Sequence, residues 1–139
     1  CWKIREDVAA LEMHAPHNQH FDISIPIAEI GQIINDILSE LHHIEGVLGA
    51  YPFGHVADGN MHLIVGKENN SKQLTKQISD IVYQPLAAVK GSISAEHGIG
   101  IDKKPYLQLT RSQDEIKLMK GLKQLFDPKN ILNPGRIVN

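Results

Sequence analysis

Three histidines and a glutamate stand in two short stretches, Gly54-His55-Val56-Ala57-Asp58-Gly59-Asn60-Met61-His62 and Ser94-Ala95-Glu96-His97-Gly98. Two imidazoles and one carboxylate, with a coordination position left open, are the recurring donor set of catalytic zinc and other divalent sites. The spacing supports such a site. Asp58-Gly59 reads as a two-residue hairpin turn, which sets Ala57 opposite Asn60, Val56 opposite Met61 and His55 opposite His62. Directly opposed residues on one sheet face have Cβ atoms roughly 4.5–5.5 Å apart, so His55 and His62 can share a cation. Glu96 then supplies an oxygen from a neighbouring element. His97 is either a base or the partner that orients the Glu96 carboxylate. Asn60 divides evenly between turn and site, whereas Asp58 and Gly59 read as turn residues.

These residues need a scaffold, and the chain reads as alternating strand and helix. A helix is expected over Trp2–Met13 and a His-rich polar loop over Met13–His20. Phe21, Ile23 and Ile25 alternate with Asp22 and Ser24 as a half-buried strand stopped by Pro26. Ile30, Ile33, Ile34, Ile37, Leu38 and Leu41 form one helical stripe. Val47–Phe53 and Met61–Val65 are the hairpin arms. Ser71 caps a second helix, with Leu74, Ile78, Ile81 and Val82 inward and Pro85 ending or kinking it. Gly91-Ser92-Ile93-Ser94 reads as a last short strand. Ser112-Gln113-Asp114-Glu115 is a capping box opening a third amphipathic helix through Ile116, Met119, Leu122 and Phe126. The tail Asp127–Gly135 is turn-rich. The order β-α-β-β-α-β implies an α+β ferredoxin-like sandwich, an antiparallel sheet with helices on one face plus a C-terminal helix.

Composition narrows the class. The 139 residues are 42% hydrophobic and 22% charged, which fits a single domain, 1–139, with a real core. A net charge of −2 with scattered Lys and Arg excludes an electrostatic nucleic-acid surface. No apolar run approaches the roughly 18 residues of a transmembrane helix, and no signal-peptide pattern opens the chain. Cys1 is the only cysteine, so no internal disulfide forms and a reducing, cytoplasmic setting is expected, an organellar origin staying open. The chain opens on Cys rather than Met and is expected to be a piece of a longer protein.

In order along the chain, Trp2-Lys3-Ile4-Arg5-Glu6, Phe21-Asp22-Ile23-Ser24-Ile25-Pro26, Gly54-His55 with Asp58-Gly59-Asn60-Met61-His62, Ser94-Ala95-Glu96-His97-Gly98-Ile99-Gly100 and Phe126-Asp127-Pro128-Lys129-Asn130-Ile131-Leu132-Asn133-Pro134-Gly135 resemble the C-terminal domain of FAD-linked 2-hydroxy-acid dehydrogenases and oxidases. That family includes D-2-hydroxyglutarate dehydrogenase, D-lactate dehydrogenase and the glycolate oxidase flavin subunit. The resemblance implies oxidation of a D-2-hydroxy acid to the 2-oxo acid. It implies a divalent metal, usually zinc, on His55, His62 and Glu96, with His97 as the general base. It also implies a substrate pocket containing Arg5, His20 and Asn60, Arg5 pairing with the substrate carboxylate.

The same resemblance implies FAD held mainly by an N-terminal domain absent from this chain, with Gly98 and Asn133 along one side of the flavin. The partners it implies are the substrate, that FAD-binding domain and an unidentified electron acceptor. The isolated chain is expected to be inactive. The D-2-hydroxyglutarate branch usually carries a lysine where this chain has His20, a hydroxyl residue at Ala9 and an asparagine at Ile64. A preference for a different 2-hydroxy acid, such as lactate, is therefore expected. Two other classes stay open: a self-contained metal hydrolase on the same residues, and a non-catalytic α+β binding module.

Overall fold

The computed structural model describes residues 2, 10 and 13–138. The helix expected over Trp2–Met13 lies largely outside these residues, and so do Arg5 and Ala9. The described elements are β1 (His17–Ser24), α1 (Ile30–His42), β2 (Val47–His55), β3 (Asn60–Lys67), α2 (Lys72–Tyr83), a short α3 (Leu107–Thr110) and α4 (Gln113–Phe126). The three strands form an antiparallel sheet in the order β1-β3-β2. This is the expected α+β arrangement.

Alternation along the strands divides the residues between two faces. Phe21, Ile23, Met61, Leu63 and Val65 point into one core together with Ile30, Ile34, Ile37 and Leu41 of α1 and Leu74, Ile78 and Val82 of α2. Both helices therefore close the same face. Burying each such side chain contributes about 1.5–3 kcal/mol before conformational entropy is subtracted. Ser71 caps α2 by accepting from the Leu74 amide, and Pro85 ends that helix in a 3-10 turn over Gln84–Ala87. The expected capping box of Ser112 and Glu115 is present at the start of α4.

Three expectations are corrected. β1 begins at His17, inside the stretch read as a loop. Its first residues are polar, yet they find partners: Gln19 Nε2 donates to Thr75 O and Ser79 Oγ of α2, and Lys67 Nζ donates to Thr75 Oγ1. The strand expected at Gly91–Ser94 is reduced to one antiparallel bridge between Ser92 and Ser24. On the side of β1 that faces Ser92, Asp22 O is already taken by Lys103 Nζ at 3.2 Å and Pro26, beyond Ser24, has no N–H to donate, which stops the ladder.

The hairpin turn is also longer than two residues. Val56–Asp58 makes a 3-10 turn closed by Gly59 at φ +80°, and Asp58 Oδ1 accepts from Asn60 N at 3.0 Å. The register therefore slips by two: His55 faces Asn60, Gly54 faces Met61 and Phe53 faces His62. A slip of two preserves the pleat, so His55 and His62 still share a face.

Candidate metal and proton-transfer site

The site lies on the sheet face opposite α1 and α2. Its floor is the row Asp22, His62, Phe53, read across β1, β3 and β2, and the adjoining row Ser24, Asn60, His55. The segment Ser94–Gly98 runs over the β1 end of this floor and delivers Glu96 and His97.

One buried carboxylate holds that segment in place. Asp22 is 1% exposed. Its Oδ2 accepts from the amides of Ala95, Glu96 and His97 at 3.1, 3.0 and 2.9 Å, from Ser94 Oγ at 3.0 Å and from Lys103 Nζ at 3.3 Å. Burial by itself would raise the Asp22 carboxyl. The amides of His97 and Glu96, the Ser94 hydroxyl and the Lys103 charge outweigh it and hold the group well below the usual carboxylate range. Lys103 is pulled down by its own burial and pushed back up by Asp22. Asp22 is therefore an anion throughout the physiological range.

His97, brought in by this segment, stacks on His62 with ring centroids 5.6 Å apart, and the Phe53 ring lies tilted against His62 at 5.4 Å. Asp22, His62 and His97 each place one potential ligand atom within 4.8 Å of the others. His55 and His62 stand with centroids 6.5 Å apart, and His55 Nδ1 lies 3.9 Å from Glu96 Oε1. Asn60 Nδ2 donates to Glu96 Oε1. The Asn60 side chain is 6% exposed, yet its Oδ1 has no partner among the described residues. A polar pocket of about 370 Å³ opens beside these groups, lined by Ser24, Asp58, Asn60, Ser92, Ser94 and Glu96.

The four residues singled out for metal and proton chemistry thus stand at one face, with Asn60 among them, but the expected ligands His55, His62 and Glu96 are not drawn into one tight set. Among the described residues the set whose ligand atoms all lie within 4.8 Å is Asp22, His62 and His97. His20 pairs with Ile64 on the same face, two positions along β1 from Asp22. Gly98 and Gly100 adopt positive φ, and open space surrounds the place where a Cβ would stand on each. The tail carrying Asn133 runs beside them, with Ile137 N donating to Gly100 O at 2.9 Å. Sequence reasoning missed Asp22 and Lys103. Asp22 stands at the polar positions of an alternating strand, which ordinarily face water, and nothing local marks Lys103 as its partner.

Comparison with known proteins places this geometry in a family: residues 1–137 match FAD linked oxidases, C-terminal domain. The chain belongs to that family. It is 36% identical over 137 residues to a mitochondrial D-2-hydroxyglutarate dehydrogenase of Arabidopsis thaliana, covering 99% of this chain and 24% of that protein. A D-2-hydroxyglutarate dehydrogenase of Xanthomonas citri is 37% identical over 98% of this chain and 30% of its own length. A D-2-hydroxyglutarate–pyruvate transhydrogenase of Saccharomyces cerevisiae is 37% identical over 85% of this chain and 25% of its own length. The chain therefore spans between about a quarter and a third of these relatives. No described helix is long and apolar enough to cross a membrane.

Proposed function

We propose that this chain is the substrate- and metal-binding domain of a flavin-dependent dehydrogenase that oxidises a D-2-hydroxy acid to the 2-oxo acid. The observation that carries the reading is the meeting of His55, His62, Glu96 and His97 on one sheet face, in a domain of the FAD-linked oxidase family. The dehydrogenase and transhydrogenase names of its relatives favour redox chemistry over a self-contained hydrolase.

The donor set fits a divalent ion, zinc first among them. His55 Nδ1 lies 3.9 Å from Glu96 Oε1 and the His62 ring 6.5 Å from that of His55, so the three donors border one space that an ion could draw closed, and Asn60 Oδ1 is a buried acceptor in need of a donor or a cation. His55, His62 and Glu96 would hold the ion, which would act on the substrate hydroxyl as a Lewis acid. FAD would accept the α-hydrogen with its electron pair, and the positive-φ backbone at Gly98 and Gly100, with no side chain in the way, would allow close approach along one edge of the flavin.

The remaining work belongs to this chain. His97 takes the hydroxyl proton at a ring nitrogen as the carbonyl forms, a task suited to a neutral imidazole. Asn60 holds Glu96 from below and offers Oδ1 toward a substrate hydroxyl. Arg5, outside the described residues, would suit a planar carboxylate through a two-point contact. His20 and Ile64 stand further along the same face, where a distal group of the substrate would lie. Neither offers the fixed charge of a lysine or the amide of an asparagine. Loss of one charged contact costs about 1.5–3 kcal/mol, or roughly 10- to 150-fold in discrimination. The parent enzyme is therefore expected to favour a 2-hydroxy acid with no second carboxylate.

Steady-state kcat/KM for D-lactate, glycolate, longer aliphatic D-2-hydroxy acids and D-2-hydroxyglutarate, measured on the full-length oxidoreductase, tests this. No turnover of any 2-hydroxy acid would overturn the reading. A clear preference for D-2-hydroxyglutarate would overturn its specificity clause alone.

A further inference from the structure

We infer that Asp22 is the positioning residue of the site: one carboxylate that sets Glu96, His97 and His62 at once without binding metal itself. The inference rests on the reading that His55, His62 and Glu96 hold a divalent ion.

Asp22 has three connections to that set. Its Oδ2 gathers the amides of Glu96 and His97, and Oδ1 takes a second, longer contact from the Glu96 amide at 3.2 Å. Ser94 Oγ and Lys103 Nζ close the same oxygen from the side, and Lys103 Nζ also donates to Ser94 Oγ at 3.1 Å and to the Asp22 carbonyl at 3.2 Å. The third contact crosses the sheet: Asp22 Oδ1 lies 4.0 Å from His62 Nδ1, the side of the ring away from a metal bound at Nε2. A carboxylate placed there orients a ligating imidazole once the two close to hydrogen-bond distance.

The competing assignment is that Asp22, His62 and His97 are themselves the ligands, since one atom from each lies within 4.8 Å of the others. The donor count argues against it at Oδ2, where five groups already crowd one oxygen. Coordination through Oδ2 would strip those amides of their acceptor and free the segment that carries Glu96 and His97. Coordination through Oδ1 would displace only the longer Glu96 contact, and the cobalt bands of Asp22→Asn distinguish that case. Glu96, half-exposed and among the described residues hydrogen-bonded at its tip by Asn60, with His55 Nδ1 at 3.9 Å, has capacity to spare.

The Ser94–Gly98 segment has no helix or strand of its own among the described residues. Asp22 therefore supplies the order that a regular element would otherwise give.

The test is a cobalt(II) titration of the 139-residue chain read by visible absorption, paired with amide hydrogen exchange on the metal-free protein, for wild type, Asp22→Asn, Ser94→Ala and His55→Ala. In Asp22→Asn the Ala95, Glu96 and His97 amides are expected to lose at least about tenfold in protection while those of Leu63 and Val65 in β3 keep theirs. Cobalt affinity is expected to fall roughly 10- to 100-fold, with the absorption bands of the bound ion unchanged. Ser94→Ala, which keeps the carboxylate, should show the same pattern in weaker form and decides the matter if Asp22→Asn does not fold. His55→Ala should lose cobalt and keep the amides.

Unchanged protection of the three amides in both variants at Ser94 and Asp22 would overturn the inference. Cobalt bands altered in Asp22→Asn, showing a lost ligand, would also overturn it in favour of the competing set. If wild type takes up no cobalt, the metal reading fails, and the exchange data still decide whether Asp22 orders the segment.

Discussion

Asp22 ties the site to the stability of the fold through its charge. Its folded-state carboxyl is depressed, so the charged form is favoured by folding. The stabilisation is fully present above the unfolded value near 3.9 and is lost as pH falls toward the depressed folded value. For a buried, hydrogen-bonded carboxylate this contribution is on the order of 2 kcal/mol. Urea melts at several pH values should therefore show Asp22→Asn clearly less stable than wild type at pH 7, with the gap closing below about pH 4. A gap independent of pH would show that shape rather than charge matters there. At His97 the expectation is kinetic: His97→Gln in the full-length enzyme should lower kcat by roughly 10²- to 10⁴-fold while zinc uptake is retained, measured by calorimetry and turnover. Loss of zinc in that variant would make His97 a ligand instead. At this scale the sequence was readable where residue type is diagnostic. Two histidines flanking a turn, and Glu96-His97 between small residues, announce polar chemistry. Asp22 does not, because one acidic residue in an alternating strand looks the same whether its side is solvated or covered, and the covering segment arrives from more than seventy residues away.

Among elements, the hydrophobic helices were the most legible, since α1 buries Ile30, Ile34, Ile37 and Leu41 of the stripe its period set apart and half-buries Ile33 and Leu38. The hairpin was legible in its arms and not in its turn. Asp58-Gly59 carries a turn signal, but Asp58 spends its carboxylate on the Asn60 amide, and Gly59 is committed to β1 rather than to closing a two-residue loop. A Cβ on Gly59 would stand 2.4 Å from Ile25 O, and its φ of +80° is strained for any side chain. Gly59→Ala is therefore expected to destabilise the fold by about 1–3 kcal/mol in denaturant melts. It should also weaken zinc binding, because Asn60 and His55 follow and precede the same loop. A variant as stable as wild type would mean that the loop does not set the register. β1 and the Ser92 bridge were illegible for a common reason. Strand identity at a sheet edge depends on which backbone groups are already taken, and side-chain pattern carries no record of that. His17 to His20 have no apolar alternation, yet Gln19 is anchored under α2 and its strand pairs fully with β3.

The described residues have two unlike sides, a helix-covered core and the opposite sheet face bearing the site, and α4 adds a third surface. Ile116 and Met119 of α4 pack half-buried against the core, but Leu122 and Phe126, expected on the same stripe, are exposed, so the inward stripe covers only the first half of the helix. Leu118, Leu122, Leu125 and Phe126 form a second stripe on another side of that helix, with Leu125 73% and Phe126 78% exposed. Ile131 and Leu132 are exposed beyond it, in the tail that Asp127 ties back through the amides of both residues. The sequence shows the apolar residues of α4 but does not say which of two stripes turns inward, because both have helical spacing. A contiguous apolar surface of this kind marks a contact face and is an aggregation liability when left bare. The 139-residue chain is therefore expected to self-associate through α4, its apparent mass in sedimentation velocity rising with concentration. Leu122→Lys with Leu125→Lys places two charges on the stripe and leaves Ile116 and Met119 in place, so it should restore the monomer at little cost to the melting temperature, substitutions at exposed positions usually changing stability by about 0.5 kcal/mol or less. Wild type that stays monomeric at the highest reachable concentration would show that the stripe is too small or too divided to hold two copies together. A double variant that still associates would move the contact to another face.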